Sequence, residues 1–217
     1  MVRNRIWMFL LSWVLGVSAV VAAEGASTDG DAAEQLANEL REYRTFQASF
    51  IQIVVDASGN DVQETRGTLK AKRPGLFYWE TRQPMAQFIA SNNEQVEVYD
   101  PDLEQVTIHA LDQQAANTPA MLLSGDVSNL SKNYDVSSQK LDTNATAFTL
   151  VPKNPDSLFV SLRMKFYNGK LEEMRLEDSL GQRSILSFTD IELNSPLSDN
   201  AFVLSYPEGV DVIKGGS

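Results

Sequence analysis

The spacing of apolar residues changes from a helical period to a strand period near residue 45. Leu36 and Leu40 lie four positions apart and share one face of a helix. Shortly afterwards, Phe46 and Phe50 alternate with polar residues, which is typical of a strand with one buried face. The pattern therefore predicts an amphipathic helix over residues 31–44, followed by a β-rich region.

Short alternating segments separated by turn residues continue to the C-terminal end. The predicted strands after the first are residues 62–73, 76–81, 87–91, 95–99, 104–110, 134–141, 147–152, 158–167, 170–178, 183–192 and 201–206. Asn168-Gly169 is the strongest hairpin signal, because both residues tolerate positive φ. This spacing predicts a mainly β (α+β) domain, a long antiparallel meander of about eleven strands.

A sheet of that length should curl, and its apolar face then needs a cover. Two segments can supply one, residues 31–44 and residues 118–125. In the second, Thr118-Pro119 is a helix start and Gly125 a helix stop, with apolar residues between them. We expect a short apolar helix there, with a further helical turn near residues 127–134.

The segment Gly67–Trp79 places a basic group beside aromatic residues. A strand-like run ends at Arg73-Pro74, and the most aromatic stretch of the chain follows. A guanidinium keeps its charge and carries five donors in a fixed fork. The alternatives for Arg73 are a surface position at a strand end or a role at an apolar pocket.

The first residues have the organisation of a secretory signal. Arg3 and Arg5 precede an apolar run at Ile6–Val21, and small residues follow at Ala22-Ala23. The run has about 16 residues, which is short for a membrane anchor, the alternative interpretation. We expect cleavage after Ala23, leaving residues 24–217 as a single domain exported from the cytosol.

Composition limits the chemistry that the chain can perform. A formal net charge of −11 argues against nucleic acid and anionic membrane surfaces as partners. Without cysteine the chain has no disulfide, no thiol nucleophile and no site for a lipid anchor. His109, the single histidine, is on a predicted strand, and neither a phosphate-binding loop nor a metal motif occurs. We expect no enzyme activity, no cofactor and no metal, although carboxylates from distant strands could still converge as in glycosidases.

The large apolar side chains permit two interpretations, a packed core or the wall of a cavity. A curled sheet can enclose one apolar ligand, and a short helix rich in Met and Leu suits an adaptable cover.

Several pieces of the chain, in order and spacing, resemble the periplasmic outer-membrane lipoprotein carrier (LolA) family. These pieces are Phe46-Gln47-Ala48-Ser49-Phe50 with Gln52, Gly67 before Lys72-Arg73-Pro74, Phe77 with Trp79, Gln83-Pro84, Tyr99 with Pro101, Glu104-Gln105, Asn117-Thr118-Pro119 with Met121-Leu122, and Pro207 with Gly209-Val210. The resemblance covers essentially the whole chain after residue 23.

The resemblance implies an unclosed antiparallel β-barrel with a helical lid over a cavity for the acyl chains of lipoproteins. Cargo would come from the inner-membrane ABC transporter LolCDE and pass to the outer-membrane receptor LolB, with the carrier itself a monomer. Arg73 would hold the lid closed through backbone carbonyls. The lid would comprise Thr118, Pro119, Ala120, Met121, Leu122 and Leu123. We expect Leu40, Phe46, Phe50, Phe77, Trp79 and Phe88 to line the cavity.

Two positions depart from the family pattern. Asp102 stands where some members have a large apolar residue, and Ala120 is smaller than the aromatic residue often found in the lid. We therefore expect looser lid packing. The alternatives are the LolB receptor, which shares the fold but is anchored through a cysteine, and a periplasmic lipid- or lipoprotein-sensing module.

Overall fold

The computed structural model describes residues 29–110 and 121–215, most of which form one large sheet. Its strands are β1 (Thr45–Val55), β2 (Asp61–Lys72), β3 (Leu76–Gln83), β4 (Gln87–Ser91), β5 (Gln95–Asp100), β6 (Gln105–Ala110), β7 (Tyr134–Lys140), β8 (Ala145–Pro152), β9 (Ser161–Tyr167), β10 (Lys170–Glu177), β11 (Arg183–Leu193) and β12 (Asp211–Lys214). The helices are α1 (Asp29–Arg41), α2 (Met121–Ser124) and α3 (Leu130–Asn133), with a 3-10 helix at Asp199–Phe202.

The sheet is unclosed. Its strand order is β12-β6-β5-β4-β3-β2-β1-β11-β10-β9-β8-β7, so β12 and β7 are the two edges. Neighbouring strands are antiparallel except β12, which pairs with β6 in parallel. The prediction of a mainly β, unclosed antiparallel fold is confirmed, with twelve strands in the described residues where about eleven were expected.

Local turn chemistry sets the register of the hairpins. Asn168 and Gly169, between β9 and β10, have φ of 49° and 70°, as a tight hairpin turn requires. Between β1 and β2, the Asp56 carboxylate accepts hydrogen bonds from the backbone amides of Ser58 and Asn60. These bonds to the ionised form lower the pKa of Asp56.

One face of the sheet, the inner face, is covered by the helices. Alternate residues of each strand point to it, among them Phe46 and Phe50 of β1. Against them α1 packs a stripe of small and branched residues that includes Leu36 and Leu40, both with no exposed surface. Burial of this stripe fixes α1, because apolar area removed from water is the main stabilising term for such a helix.

The opposite, outer face carries a second and smaller apolar cluster. Its buried members are Ala90, Tyr99, Val106 and Leu204. Leu204 belongs to the C-terminal segment, which crosses the outer face after β11. Lys72 attaches this segment by an ion pair of 2.7 Å with Asp199.

Some predicted boundaries were wrong or lie outside the described residues. A strand was expected at residues 201–206, but this segment lies over the sheet and contains part of the 3-10 helix. Phe202 and Leu204 are buried by that crossing and Val203 between them is exposed, which gives the same alternation as a strand. The expected signal sequence, residues 1–23, lies outside the described residues. No helix in the described ranges has the length and hydrophobicity needed to cross a membrane.

Candidate ligand cavity and lid

A cavity of about 290 Å³ lies between the inner face and α2. Its lining residues come from six strands and the helix: Gln52, Leu69, Phe77, Trp79, Leu123, Leu162, Met174, Leu176, Ser184 and Leu186. Eight of these ten are apolar, and the two polar residues are Gln52 and Ser184. Apolar walls with few polar groups are typical of binding sites for small hydrophobic ligands.

Aromatic side chains form one wall of the cavity. Phe77 and Trp79 are on β3, and the ring centroid of Trp79 lies 4.0 Å from that of Phe50 on β1. This contact crosses β2 at Gly67, where a Cβ would lie 2.7 Å from the Phe50 ring and would overlap the Glu80 carbonyl oxygen. Glycine is therefore required at position 67 for the aromatic wall to form.

The roof of the cavity is the short helix α2, which we call the lid helix. Leu123 lines the cavity, and Leu122 is also buried against the core. A helix of four residues cannot be stable by itself, because its nucleation is unfavourable. The lid helix is therefore held by contacts from elsewhere.

Arg73 supplies the main contacts, and it joins both helical covers. Its Nε donates to the carbonyl of Leu40 in α1 at 3.2 Å, and one terminal nitrogen donates to the carbonyl of Leu122 at 2.7 Å. The other terminal nitrogen donates to the carbonyl of Gly125. The carbonyls of Leu40 and Leu122 lie at helix C-terminal ends and that of Gly125 directly follows one, where the negative end of the helix dipole favours a cation. We call Arg73 with the carbonyls of Leu40, Leu122 and Gly125 the latch.

Electrostatics at the latch reflect its partial burial. Loss of hydration lowers the pKa of the Arg73 guanidinium, and the negative charge of Asp126 opposes this shift. Hydrogen bonds from Ser128 lower the pKa of Asp126, with a further contribution from Arg73. A guanidinium remains charged in proteins despite such a shift, so the latch does not open by deprotonation of Arg73.

A second contact to the lid comes from the turn that follows Arg73. The backbone amide of Gly75 donates to the carbonyl of Ser124 at 2.7 Å. Gly75 has φ of +74°, and a Cβ there would overlap the Asn93 side-chain oxygen. Sequence reasoning missed this contact, although a glycine two residues after the predicted latch arginine was a usable signal.

The predicted cavity residues occupy three different environments. Phe77 and Trp79 line the cavity, and Phe50 supports them from behind. Leu40 on α1 and Phe46 on β1 pack against each other's elements in the core between helix and sheet, and neither lines the cavity.

Phe88 lies on the outer face, which corrects its expected position on the cavity. It pairs with Tyr99 across β4 and β5, with ring centroids 5.9 Å apart. The face to which Phe88 points depends on how β4 pairs with β3. Because Trp79 pairs with Ile89, Ile89 shares the inner face with Trp79, and its neighbour Phe88 points outward.

The predicted lid is only partly within the described residues. Leu122 and Leu123 are buried in the lid helix. Met121 begins that helix, but its side chain is not described. Thr118, Pro119 and Ala120 lie outside the described ranges.

Sequence reasoning did not assign the wall contributed by the second half of the sheet. Leu162, Met174, Leu176 and Leu186 share the inward parity of β9, β10 and β11, which was the available signal. Periodicity in the sequence predicts which residues point inward. It does not predict which of them border the cavity, because that depends on their distance from the covering helices. In the described ranges, no group of three or more His, Asp or Glu side chains could hold a metal ion.

Comparisons with known proteins support a carrier fold. Residues 41–205 match the family described as outer membrane lipoprotein carrier protein LolA. The outer-membrane lipoprotein carrier protein of Hahella chejuensis is 46% identical over 204 residues, which cover 93% of this chain and 98% of that protein. The protein of the same name from Chromohalobacter salexigens is 42% identical and covers 96% of this chain and 100% of its own length.

Among solved structures, an uncharacterized conserved protein from Thermus thermophilus has a TM-score of 0.54 and 15% identity. That match covers 84% of this chain and 99% of the other, and it shows similarity of fold alone. The family match spans most of the sheet, and the sequence identities extend over nearly the whole chain. The chain belongs to the LolA family of outer-membrane lipoprotein carrier proteins.

Proposed function

We propose that this protein carries acylated lipoproteins across the periplasm, from the LolCDE transporter to the LolB receptor, with their acyl chains in the cavity beneath the lid helix. It is exported with cleavage after Ala23, acts as a monomer and catalyses no reaction. The observation that carries this proposal is an apolar cavity of about 290 Å³ whose roof is a four-residue helix held mainly by hydrogen bonds from Arg73 and from the Gly75 amide.

The chemistry of the cargo supports a carrier with a cover. Each buried CH₂ of a lipid chain contributes about 0.8 kcal/mol to membrane attachment, so a protein with several acyl chains does not leave a bilayer unaided. The carrier must shield these chains from water and then release them. Eight apolar lining residues provide the shield, and the latch gives a route to release.

The size of the cavity implies that the lid moves. About 290 Å³ is at the lower limit of ligand pockets, which range from about 300 to 1,000 Å³. Several acyl chains need more room than this closed form offers. Displacement of the lid helix would extend the cavity along the inner face, and it would exchange the two latch bonds to Leu122 and Gly125 for contacts with cargo and water.

Release of lipoprotein from cells tests the proposal. Spheroplasts that secrete a radiolabelled lipoprotein are incubated with the purified chain starting at Glu24. We expect label in the soluble fraction with the protein and none without it, and we expect the soluble complex to deliver its label to membranes that contain LolB.

Two tryptophan variants on β11 control for the cavity. Leu186→Trp fills space in the lining and should abolish release, whereas Ile185→Trp on the opposite face of the same strand should leave release intact. If the wild-type protein leaves all label in the membrane, the carrier function is wrong. Binding of lipid without delivery to LolB would favour the sensing module.

A further inference from the structure

The cavity contains one polar corner, formed by three side chains of neighbouring strands. The Gln52 side-chain nitrogen donates to the Ser184 hydroxyl at 2.6 Å. The Thr65 hydroxyl donates to the Gln52 side-chain oxygen at 3.3 Å. Gln52 and Ser184 line the cavity, while Thr65 is more than nine-tenths buried behind them. We call these three residues the polar corner.

The polar corner lies toward one rim of the sheet. Gln52 is three residues before the end of β1 at Val55, and Ser184 is the second residue of β11. The corner is therefore next to the β1–β2 and β10–β11 turns. Leu69 and Trp79 lie farther from this rim, because Leu69 pairs with Ala48 and Trp79 pairs with Leu69. The two polar lining residues thus lie near the rim, beside the apolar Leu176, and the interior of the cavity is apolar.

The corner holds more hydrogen-bond donors than it uses. One amide and two hydroxyl groups carry four protons in total. The two hydrogen bonds among them use two of these protons. In the parts of the chain that the structure describes, the three side chains make no other hydrogen bond. The two remaining protons belong to the Gln52 amide and the Ser184 hydroxyl, which line the cavity, so an acceptor atom of a ligand placed here would receive hydrogen bonds from them.

We propose that the polar corner binds the ester carbonyl of an acyl-glyceryl group and so fixes the depth at which the acyl chains enter. This inference rests on the proposed carrier function. An ester carbonyl accepts hydrogen bonds and donates none, which matches the two remaining protons. The hydrocarbon then extends from the rim toward Trp79 and the lid residue Leu123, and the polar part of the ligand stays near solvent.

The test compares two ligands that differ only at the carbonyl. One is a synthetic lipopeptide bearing S-diacylglyceryl cysteine, and the other is its dialkyl ether analogue. Trp79 is the single tryptophan after residue 23, and it lines the cavity, so its fluorescence reports occupancy directly. We expect the wild type to bind the ester roughly five-fold more tightly than the ether.

The double variant Gln52→Leu with Ser184→Ala should bind the two ligands with equal affinity, so the ester-to-ether ratio of about five in the wild type should fall to about one. The matched control is Gln47→Leu with Ser187→Ala, the same changes at outward-facing positions of the same strands, and it should keep the ester preference. Thermal unfolding verifies that each variant is folded. Ser184→Ala alone replaces the double variant if that variant does not fold.

The outcomes separate this inference from the carrier function. Equal affinity of the wild type for ester and ether, or an ester preference that survives in the double variant, overturns the polar corner and leaves the carrier intact. Failure of both ligands to bind the wild type overturns both the polar corner and the carrier function.

A second pair of ligands, a short-chain phosphatidylcholine and its ether analogue, tests the source of the ester. An ester preference there as well means that the corner recognises acyl esters of any source, and a preference confined to the lipopeptide assigns it to lipoprotein.

Discussion

The two helical covers of the inner face are held by different forces. Helix α1 has 13 residues and buries an apolar stripe in the core, whereas the lid helix has four residues and is fastened by hydrogen bonds to its carbonyls. Apolar burial cannot be exchanged for water without a large loss in free energy, but hydrogen bonds can. The lid helix buries two leucines, Leu122 and Leu123, compared with the longer stripe of α1, so we expect α1 to be the permanent cover and the lid helix the removable one; Arg73 contacts both.

The largest expected effect is that of Leu36→Ala, which tests whether apolar burial holds α1 in place. Leu36 is on the buried side of α1 and has no exposed surface, so its truncation should lower the free energy of unfolding by about 2–5 kcal/mol. Chemical denaturation measures this loss. Gln35→Ala, on the exposed side of the same helix, should change stability by less than about 0.5 kcal/mol. Similar midpoints for the two variants would mean that α1 is not held by burial.

The removable cover is tested by Arg73→Leu. This change removes three hydrogen bonds from a charged donor, each worth about 1.5–3 kcal/mol, while the apolar contacts of α1 remain. Hydrogen exchange in a peptide spanning residues 121–127 should become at least about ten-fold faster, with exchange in α1 unchanged. Transfer of lipoprotein to LolB should be impaired, because loss of these hydrogen bonds changes the equilibrium between the closed and open forms of the lid.

Two variants control for charge and geometry at position 73. Arg66→Leu removes an exposed arginine from β2 and should leave exchange in the lid unaltered. Arg73→Lys keeps the charge but loses the planar fork, so its exchange rate should fall between those of the wild type and Arg73→Leu. Wild-type exchange and transfer in Arg73→Leu would show that the latch does not hold the lid.

The C-terminal end of α1 has an anchor of its own in Tyr43. Its hydroxyl donates to the carbonyl of Gly169 at 2.7 Å and accepts from the amide of Leu171 at 2.9 Å. Tyr43→Phe leaves both backbone groups unsatisfied and should lower the free energy of unfolding by about 1–3 kcal/mol. Tyr167→Phe, at an exposed position, should have little effect in the same denaturation experiment.

The same residue gives a pH dependence. Burial raises the pKa of Tyr43 above its ordinary value of 10.0. Above about pH 10 the unfolded chain releases this proton and the folded chain keeps it, so stability falls as pH rises. The free energy of unfolding should decline less steeply above pH 10 in Tyr43→Phe than in the wild type. Parallel curves would exclude this contribution.

The smallest expected effect is at the lid itself. The Ser124 hydroxyl is fully buried and has no hydrogen-bond partner within residues 29–110 and 121–215. Ser124→Ala removes this unsatisfied group, so it should stabilise the closed lid by up to about 1 kcal/mol and slow exchange in the 121–127 peptide. Ser128→Ala removes a hydroxyl that bonds to Asp126 and should not slow exchange. Faster exchange in Ser124→Ala would contradict this assignment.

Alternation along the strands was sufficient to predict an antiparallel sheet, and the turn at Asn168-Gly169 was predicted because its chemistry is local. Failures occurred where distant contacts decide the outcome. Residues 201–206 alternate like a strand but cross the outer face. A segment that packs on top of a sheet can show the same alternation of buried and exposed residues as a strand within it. Phe88 could not be assigned to a face until the register of β4 was known.

The sequence by itself determined the mainly β fold, the covering helix α1, the identity of the arginine at the end of β2, and the family. The fold and the helix follow from periodicity and turn residues, which are properties of neighbouring residues, and the family followed from the resemblance carried by several pieces of the chain in order and spacing. Only the tertiary structure decided which carbonyls Arg73 reaches, and that Gln52 and Ser184 meet at one end of the cavity. Such contacts join positions more than 30 residues apart, and their distances depend on the curvature of the sheet and the packing of the helices.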